Sequence, residues 1–259
     1  MASVVKKTLM AQSGRTDTPS GEGNAAHSCP VIKPKPAGTL LILDEQNGQP
    51  HVLMGRRHKA HAFMPDVFVF PGGRVDRPDN HAPFHSDLTK PTLERLMASG
   101  LKSLATHRRA RAFALAAIRE TFEEVGMLIG APLTHDGNGA NPVWAPFLNH
   151  NQVPNLAPLR YVARAVTPPG WIRRYDTRFF TVTRAAVSLE LQDSPTDELS
   201  DLSWIPLDRT DGYEMPRITQ MVLKDVSDRI AVEGTIELRD DHAVPVYATR
   251  NGKHRRVMA

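Results

Sequence analysis

The sequence predicts an α/β protein in which a mixed β-sheet is covered by helices. Three observations carry this. Short β-rich runs recur along the chain but alternate irregularly with helical stretches, unlike the strand–helix rhythm of a doubly wound parallel sheet. Asn47-Gly48 sits between two apolar runs, a hairpin signal. One long stretch, from about His107 to Met127, keeps a helical apolar period.

The elements follow in order. Residues 1–36 are rich in Ser, Gly, Thr, Ala and Pro and end in PVIKPKP, the composition of a disordered tail. Residues 37–245 are expected to form one domain, and residues 246–259 a basic tail ending in NGKHRRVMA. Within the domain, AGTLLILDEQNGQPHVLMGRRH reads as two strands around a turn longer than two residues. DVFVF (66–70) is a short strand stopped by Pro71-Gly72-Gly73. From Arg74 to about His107 the text is irregular, with Pro78, Pro83 and Pro91 and a short helix at 91–103. The long helix ends near Gly130, and HDGNGANP is loop-like. LRYVARAVTPP, RFFTVTRAAV and LSWIPL read as strands, and a final helix is expected at 214–230.

Composition narrows the function. The formal charge is +4 and the pI about 9.3, mildly basic, which suits an anionic small substrate. The positive charge is spread among tails and strand ends, so no nucleic-acid partner is expected. Cys29 is the only cysteine, which excludes a disulfide framework or a cysteine-rich zinc site within one chain and fits a reducing, cytoplasmic location. No apolar run reaches the ~18 residues of a membrane span, so no membrane partner is expected. The N-terminus has no apolar signal core, and its Lys6, Lys7 and Arg15 form no amphipathic basic helix.

The chemistry concentrates in RETFEEVGMLIG, Arg119 to Gly130. On a helical wheel Glu124 lies about +40° and Glu123 about −60° from Glu120, so three acids share one face. Leu115, Ile118, Phe122 and Val125 form the opposite, core-facing stripe. Like charges at this spacing repel. One reading is a solvated face paired with Arg119 or Arg108. The other is a cation site, because hard divalent cations take several carboxylate oxygens at once. Three details favour the second: no Lys is interleaved at i+4, a strand ending in Pro-Gly-Gly precedes the helix, and Gly126 falls one turn beyond Phe122 as if another backbone came close.

These residues resemble the Nudix hydrolase family, whose signature is G-x5-E-x7-R-E-U-x-E-E-x-G-U. Arg119, Glu120, Glu123, Glu124 and Gly126 match its second half, with Thr121 at the first U position, and Gly73 in VFPGGRVD begins the first half. Gly73 and Arg119 are 46 positions apart where the signature has 14, so 32 extra residues split the box. The acid six places after Gly73 is Asp79 rather than Glu, and whether it serves as the first box acid is open. The split box, with GRRHKAHAFMPDVFVFPGGRVD before it and VTPPGWIRRYDTRFF after it, resembles the subgroup that includes a peroxisomal acyl-CoA diphosphatase.

The resemblance implies an α/β/α sandwich with a mixed β-sheet and a long insertion at about 74–107. It implies Mg²⁺- or Mn²⁺-dependent hydrolysis of a small-molecule nucleoside diphosphate derivative. Glu120 and Glu124 become metal ligands, with Glu123 a further ligand or the catalytic carboxylate, and the Gly73 carbonyl a contributor. Arg119 is implied to orient the carboxylates. Glu198, in DELSDLSWIPL, is the alternative general base. Arg56, Arg57, Arg174 and Arg178, in the flanking runs with Arg173, are candidates to bind phosphate, since the guanidinium fork suits phosphate oxygens. Phe179 and Phe180 read as core, and His58, His61, His81 and His85 as ordinary surface histidines without an H-E-x-x-H pattern. CoA or acyl-CoA is the leading substrate, ADP-ribose or a nucleotide sugar the alternative, and a non-catalytic nucleotide-sensing module the reading of another class. For the insertion, a pocket cap, an acyl-binding surface and a homodimer interface all stay open.

Overall fold

The computed structural model describes residues 32–58, 66–98, 106–133, 141–250 and 253–259. The expected disordered tail falls outside the described residues up to residue 31. Residues 32–36 of it are described, and the last two of these belong to strand β1 (Lys35–Gln46), which enters the sheet at once. β1 turns back into β2 (Gln49–Arg57) with Gln46 facing Gln49. The loop is therefore only Asn47 and Gly48, at φ 54° and 74°, the positive pair that suits a tight hairpin. The expectation of a longer loop fails because pairing runs right up to the turn.

After β2 come β3 (Phe68–Val69) and β4 (Gly72–Arg74), a 3₁₀ turn (Arg77–Asn80), α1 (Lys90–Ala98) and α2 (His107–Val125). The expected helix at 91–103 is thus described only to Ala98, since residues 99–105 lie outside the described set. β5 (Met127–Leu128), β6 (Gly130–Pro132), α3 (Ala145–Leu148), β7 (Gln152–Pro154), β8 (Arg160–Val166) and β9 (Tyr175–Thr183) follow. The chain ends with β10 (Leu189–Glu190), β11 (Leu199–Pro206), α4 (Arg217–Glu233), β12 (Pro245–Arg250) and β13 (Lys253–Met258).

The main sheet runs β11-β2-β1-β9-β8-β12-β13, with β3 on β2 and β4 on β1. β1 pairs parallel with β9 and β12 parallel with β8, and the other pairings are antiparallel, so the sheet is mixed. β1 is apolar on both sides because both faces are covered. Leu40 and Ile42 join a core with α1, α2 and α3; Leu41 and Leu43 join a second core with α4. This is the expected α/β/α sandwich. Leu115, Ile118, Phe122 and Val125 are all buried, as the wheel requires, and each full burial contributes about 1.5–3 kcal/mol.

Two expectations about chain ends are corrected. α2 stops at Val125, and Gly126 is its left-handed cap at φ 70°, with its N–H donating to the Phe122 carbonyl. Gly126 is therefore just past the helix, though a Cβ there would also press on the Asp193 carbonyl at 3.2 Å. Residues 246–259 are not a free tail: β12 and β13 extend the sheet as a hairpin. The basic Arg256 is tied down by an ion pair of 2.8 Å to Asp225 on α4. Among the described residues no helix is long and apolar enough to cross a membrane.

The described part of the insertion packs back on the domain. Leu88, Leu93 and Leu96 enter the core beside α2. Asp87 and Arg111 of α2 form a two-pronged pair at 2.7 and 2.6 Å.

Candidate active site

β9 occupies one edge of β1 along Lys35–Leu43, so β2 and β4 must share the other edge. β2 pairs there at Leu43–Gln46 and β4 at Ala37–Thr39. A cleft of about 420 Å³ opens beside this change of partner. α2 is set against β1 by Gly38, where a Cβ would collide with the Phe113 carbonyl at 2.0 Å. That approach brings the acid face of α2 to β4 rather than to open solvent.

Glu120 and Glu124 line the cleft with Gly72, Gly73 and Glu198. A Cβ at Gly73 would lie 2.4 Å from the Glu120 carboxylate carbon, so the signature glycine is needed for close approach. The Gly72 N–H donates to Glu124 Oε2 at 2.8 Å. Arg57, Arg74 and Arg173 add positive charge to the same lining, and Tyr175, Thr177, Thr39 and Ala37 complete it.

Behind this wall, Arg119 is almost wholly buried. Its Nε and Nη2 donate to Asp79 at 3.0 and 3.1 Å, and Nη2 also donates to the Arg74 carbonyl at 3.1 Å. Its Nη1 reaches Glu120 at 2.8 Å and Glu123 at 3.1 Å. All five guanidinium N–H groups therefore have an acceptor. Asp79, six places after Gly73, does return to the box despite the insertion. It is fully buried and acts as the anchor of Arg119.

Burial penalises each helix carboxylate. It lifts Glu120 to about 7, a rise that Arg119 opposes and the charge of Glu123 reinforces. Burial also raises Glu124 well above the usual carboxylate range, with the Glu120 charge adding to the rise and the Gly72 hydrogen bond working against it. Glu123 is raised by burial, with Arg119 opposing. Burial alone would lower the Arg119 pKa, but the Asp79 hydrogen bonds and the surrounding carboxylates raise it.

Several predicted residues stand elsewhere. Glu123 is absent from the cleft lining: its carboxylate pairs with Arg119, and its carbonyl accepts from the Thr196 N–H and hydroxyl. Arg56 lies over the Phe68 ring and pairs with Asp66 and Asp201 at 3.1 Å each. Arg174 is buried, donating to the Thr167 and Ile32 carbonyls. Arg178 has no exposed surface; it pairs with Asp176 and stacks over Phe113. Of the candidate phosphate ligands, Arg57 is in the cleft lining, while Arg56, Arg174 and Arg178 lie outside it and are engaged by protein partners. Phe179 and Phe180 are core, as expected. His58, His81 and His85 are exposed, and His61 lies outside the described residues.

Arg74, Tyr175 and Thr177 escaped the sequence reading, as did Trp144, whose indole N–H reaches Asp79 at 3.1 Å. For Tyr175 and Thr177 the strand alternation of β9 was an available signal, since residues two apart share a face. Trp144 had none.

The donor chemistry fits a hard divalent cation. The buried Glu124 carboxylate has its proton affinity raised by the partly buried Glu120, a third carboxylate from Glu198 lines the same cleft, and oxygen ligands of this kind suit Mg²⁺ or Mn²⁺. Among the described residues no three acid, histidine or cysteine side chains come together as a group that could hold a metal ion. Glu120 leans on Arg119 and Glu124 on the Gly72 N–H.

No family model and no curated protein matches the chain. Solved structures do. A NUDIX hydrolase from Alicyclobacillus acidocaldarius is 26% identical, covering 74% of this chain and 90% of that one, with a TM-score of 0.55. The NUDIX domain of Shewanella oneidensis NrtR, solved with ADP ribose, is 12% identical over 79% of this chain and 95% of its own, with a TM-score of 0.42. A C. elegans Ap4A hydrolase is 14% identical over 76% and 98%, with a TM-score of 0.40. The Alicyclobacillus protein is near enough to weigh; the two others are too distant to add to it. On that likeness, and with a sheet edge that opens beside a helix of carboxylates, the chain is a hydrolase of the Nudix fold.

Proposed function

We propose that the chain hydrolyses the diphosphate linkage of a nucleoside diphosphate derivative, with CoA or acyl-CoA as substrate and 3′,5′-ADP and (acyl-)4′-phosphopantetheine as products. The observation that supports this reading is one cleft holding Glu120, Glu124 and Glu198 together with Arg57, Arg74 and Arg173. Carboxylates suit a cation, and arginines suit phosphates that extend beyond it.

Glu120 and Glu124 would hold Mg²⁺ or Mn²⁺, with the Gly73 backbone beside them. Such an ion, when bound, polarises phosphoryl oxygens and makes water more acidic. The chain's own groups do the rest. Arg119 holds Glu120 from behind without facing the cleft. Arg57 and Arg173 orient the outer phosphates. Glu198 accepts the proton of the attacking water as the new phosphorus–oxygen bond forms and the bridging oxygen leaves with its electron pair. Glu198 takes this role in preference to Glu123 because Glu198 lines the cleft and Glu123 is engaged by Arg119. A cytoplasmic location belongs to the same proposal, on the strength of the single cysteine.

The test is mass spectrometry of products from CoA, acetyl-CoA, ADP-ribose and a nucleotide sugar, each with Mg²⁺ and with Mn²⁺. The expected result is 3′,5′-ADP from the CoA substrates. Cleavage of ADP-ribose with CoA untouched would retain the reaction and overturn the substrate. Tight nucleotide binding without any cleavage would favour a sensor instead.

A further inference from the structure

Asp79 has four donors. Oδ1 accepts from Arg119 Nε at 3.0 Å and Trp144 Nε1 at 3.1 Å. Oδ2 accepts from Arg119 Nη2 at 3.1 Å and the Asp76 N–H at 2.8 Å. A carboxylate offers about four lone-pair sites, so the group is saturated. It is also shut off from bulk solvent: Asp79 is 0% exposed and Trp144 1%. Bulk water does not reach Asp79 to replace a lost donor, and a missing bond leaves an acceptor unsatisfied in a low-dielectric setting.

Trp144 belongs to neither half of the box. It precedes α3, a short segment packed on the far side of α2. Phe147 and His150 of the same segment set their rings edge-on to Phe122, each at 5.5 Å between centroids. Trp144 itself packs against Phe147 at 5.7 Å. The segment therefore grips the box helix through Phe122 and the box arginine through Asp79.

We propose that Trp144 is a positioning residue for hydrolysis, its indole N–H fixing Asp79 and, through Asp79, the Arg119 fork that sets Glu120 and Glu123. This rests on the hydrolase reading above. The indole N–H bonds one oxygen of Asp79, and so resists rotation of a carboxylate that Arg119 grips with two parallel bonds. The other end of that guanidinium meets Glu120, so a tilt at Asp79 is passed to the cleft wall. Catalytic geometry tolerates little such displacement.

The experiment measures kcat, KM and melting temperature for wild type, Trp144→Phe, Asp79→Asn and the double variant, with CoA and Mg²⁺, or with whichever of the four substrates wild type cleaves. Trp144→Phe keeps a ring against Phe147 and removes the donor. Replacement of Trp144 by benzothienylalanine, the same shape with sulfur in place of N–H, covers the case in which the smaller ring unfolds the chain. The expected loss in kcat is about 10-fold with KM within about twofold, the scale seen when groups behind a metal site are disturbed. In the Asp79→Asn background the same substitution is expected to cost less than about twofold, because the two residues act in series. A lowered melting temperature with kcat unchanged would overturn the proposal, and so would losses that multiply in the double variant. Wild type inert toward every substrate would instead bring down the hydrolase reading, and this inference with it.

Discussion

Gly73 and Glu120 stand so close that a single added methyl on the glycine would lie within 2.5 Å of both carboxylate oxygens. The contact joins the two halves of a split motif across 47 positions in sequence. Gly73→Ala is therefore expected to displace Glu120. The obstructing atoms are the end of a flexible side chain, so the fold should survive, with stability within about 1 kcal/mol of wild type. Turnover should fall about 100-fold, since an error of about 1 Å at a site has that scale. Steady-state kinetics beside a thermal melt would check both; equal turnover in the variant would rule out the close approach as a functional feature.

Glu124→Gln separates the cation role from the structural one. The carboxylate is buried beside Glu120, and its main protein contact is the Gly72 N–H, which an amide oxygen also accepts. Burial and the Glu120 charge already disfavour the anion at this position, so a neutral amide costs little, and melting without metal should be unchanged or higher than wild type. The rise in melting temperature that Mg²⁺ gives wild type, through selective binding to the folded state, should shrink or vanish. Turnover should drop by about 100-fold or more. A variant that melts lower without metal would point to a structural role for Glu124.

Two arginines of the same run are predicted to behave oppositely. Arg173→Ala removes a cation from the cleft lining and should raise KM about 10-fold with little change in stability. Arg178→Ala leaves Asp176 buried and still paired with Arg164, and strips the Phe113 ring of its cation. A loss of about 3 kcal/mol in stability is expected, the scale of breaking a buried pair. Denaturant unfolding and substrate titration of both variants would decide; a KM effect confined to Arg178→Ala would reverse the assignment.

The insertion is tied to the box helix by Asp87 and Arg111, and the tie carries a pH signature. Burial pushes the Asp87 pKa up, but the hydrogen bonds and charge of Arg111 outweigh it, so the folded value lies below the ordinary one. A depressed carboxylate pKa adds stability that is present above the unfolded value of about 3.9 and is lost as pH falls through the folded value. Urea midpoints measured from pH 6 down to pH 3 should fall less steeply in Asp87→Asn than in wild type. Parallel curves would mean the pair contributes nothing measurable.

The box helix, its apolar stripe and its acid face were legible because a helical period is written in residues three and four apart. The hairpin was legible from Asn47-Gly48 for the same local reason. Adjacent arginines were harder. Residues next to each other on a strand point to opposite sides, so Arg57 entered the cleft lining while Arg56 settled on Phe68 and two acids. Local sequence shows the alternation but not which side faces the ligand; that depends on β4 and β11, which come from elsewhere in the chain.

What the amino-acid order determined by itself is the chemistry available: three glutamates on one helical face, a glycine able to approach them, and arginines on both sides of the split box. What only the tertiary structure decided is which of these groups meet. Asp79 returns to Arg119 across 40 residues, Trp144 reaches Asp79 across 65, and the last strands join the sheet beside β8. Those encounters depend on burial and on pairing between distant segments, and neither leaves a mark in the local periodicity from which a sequence is read.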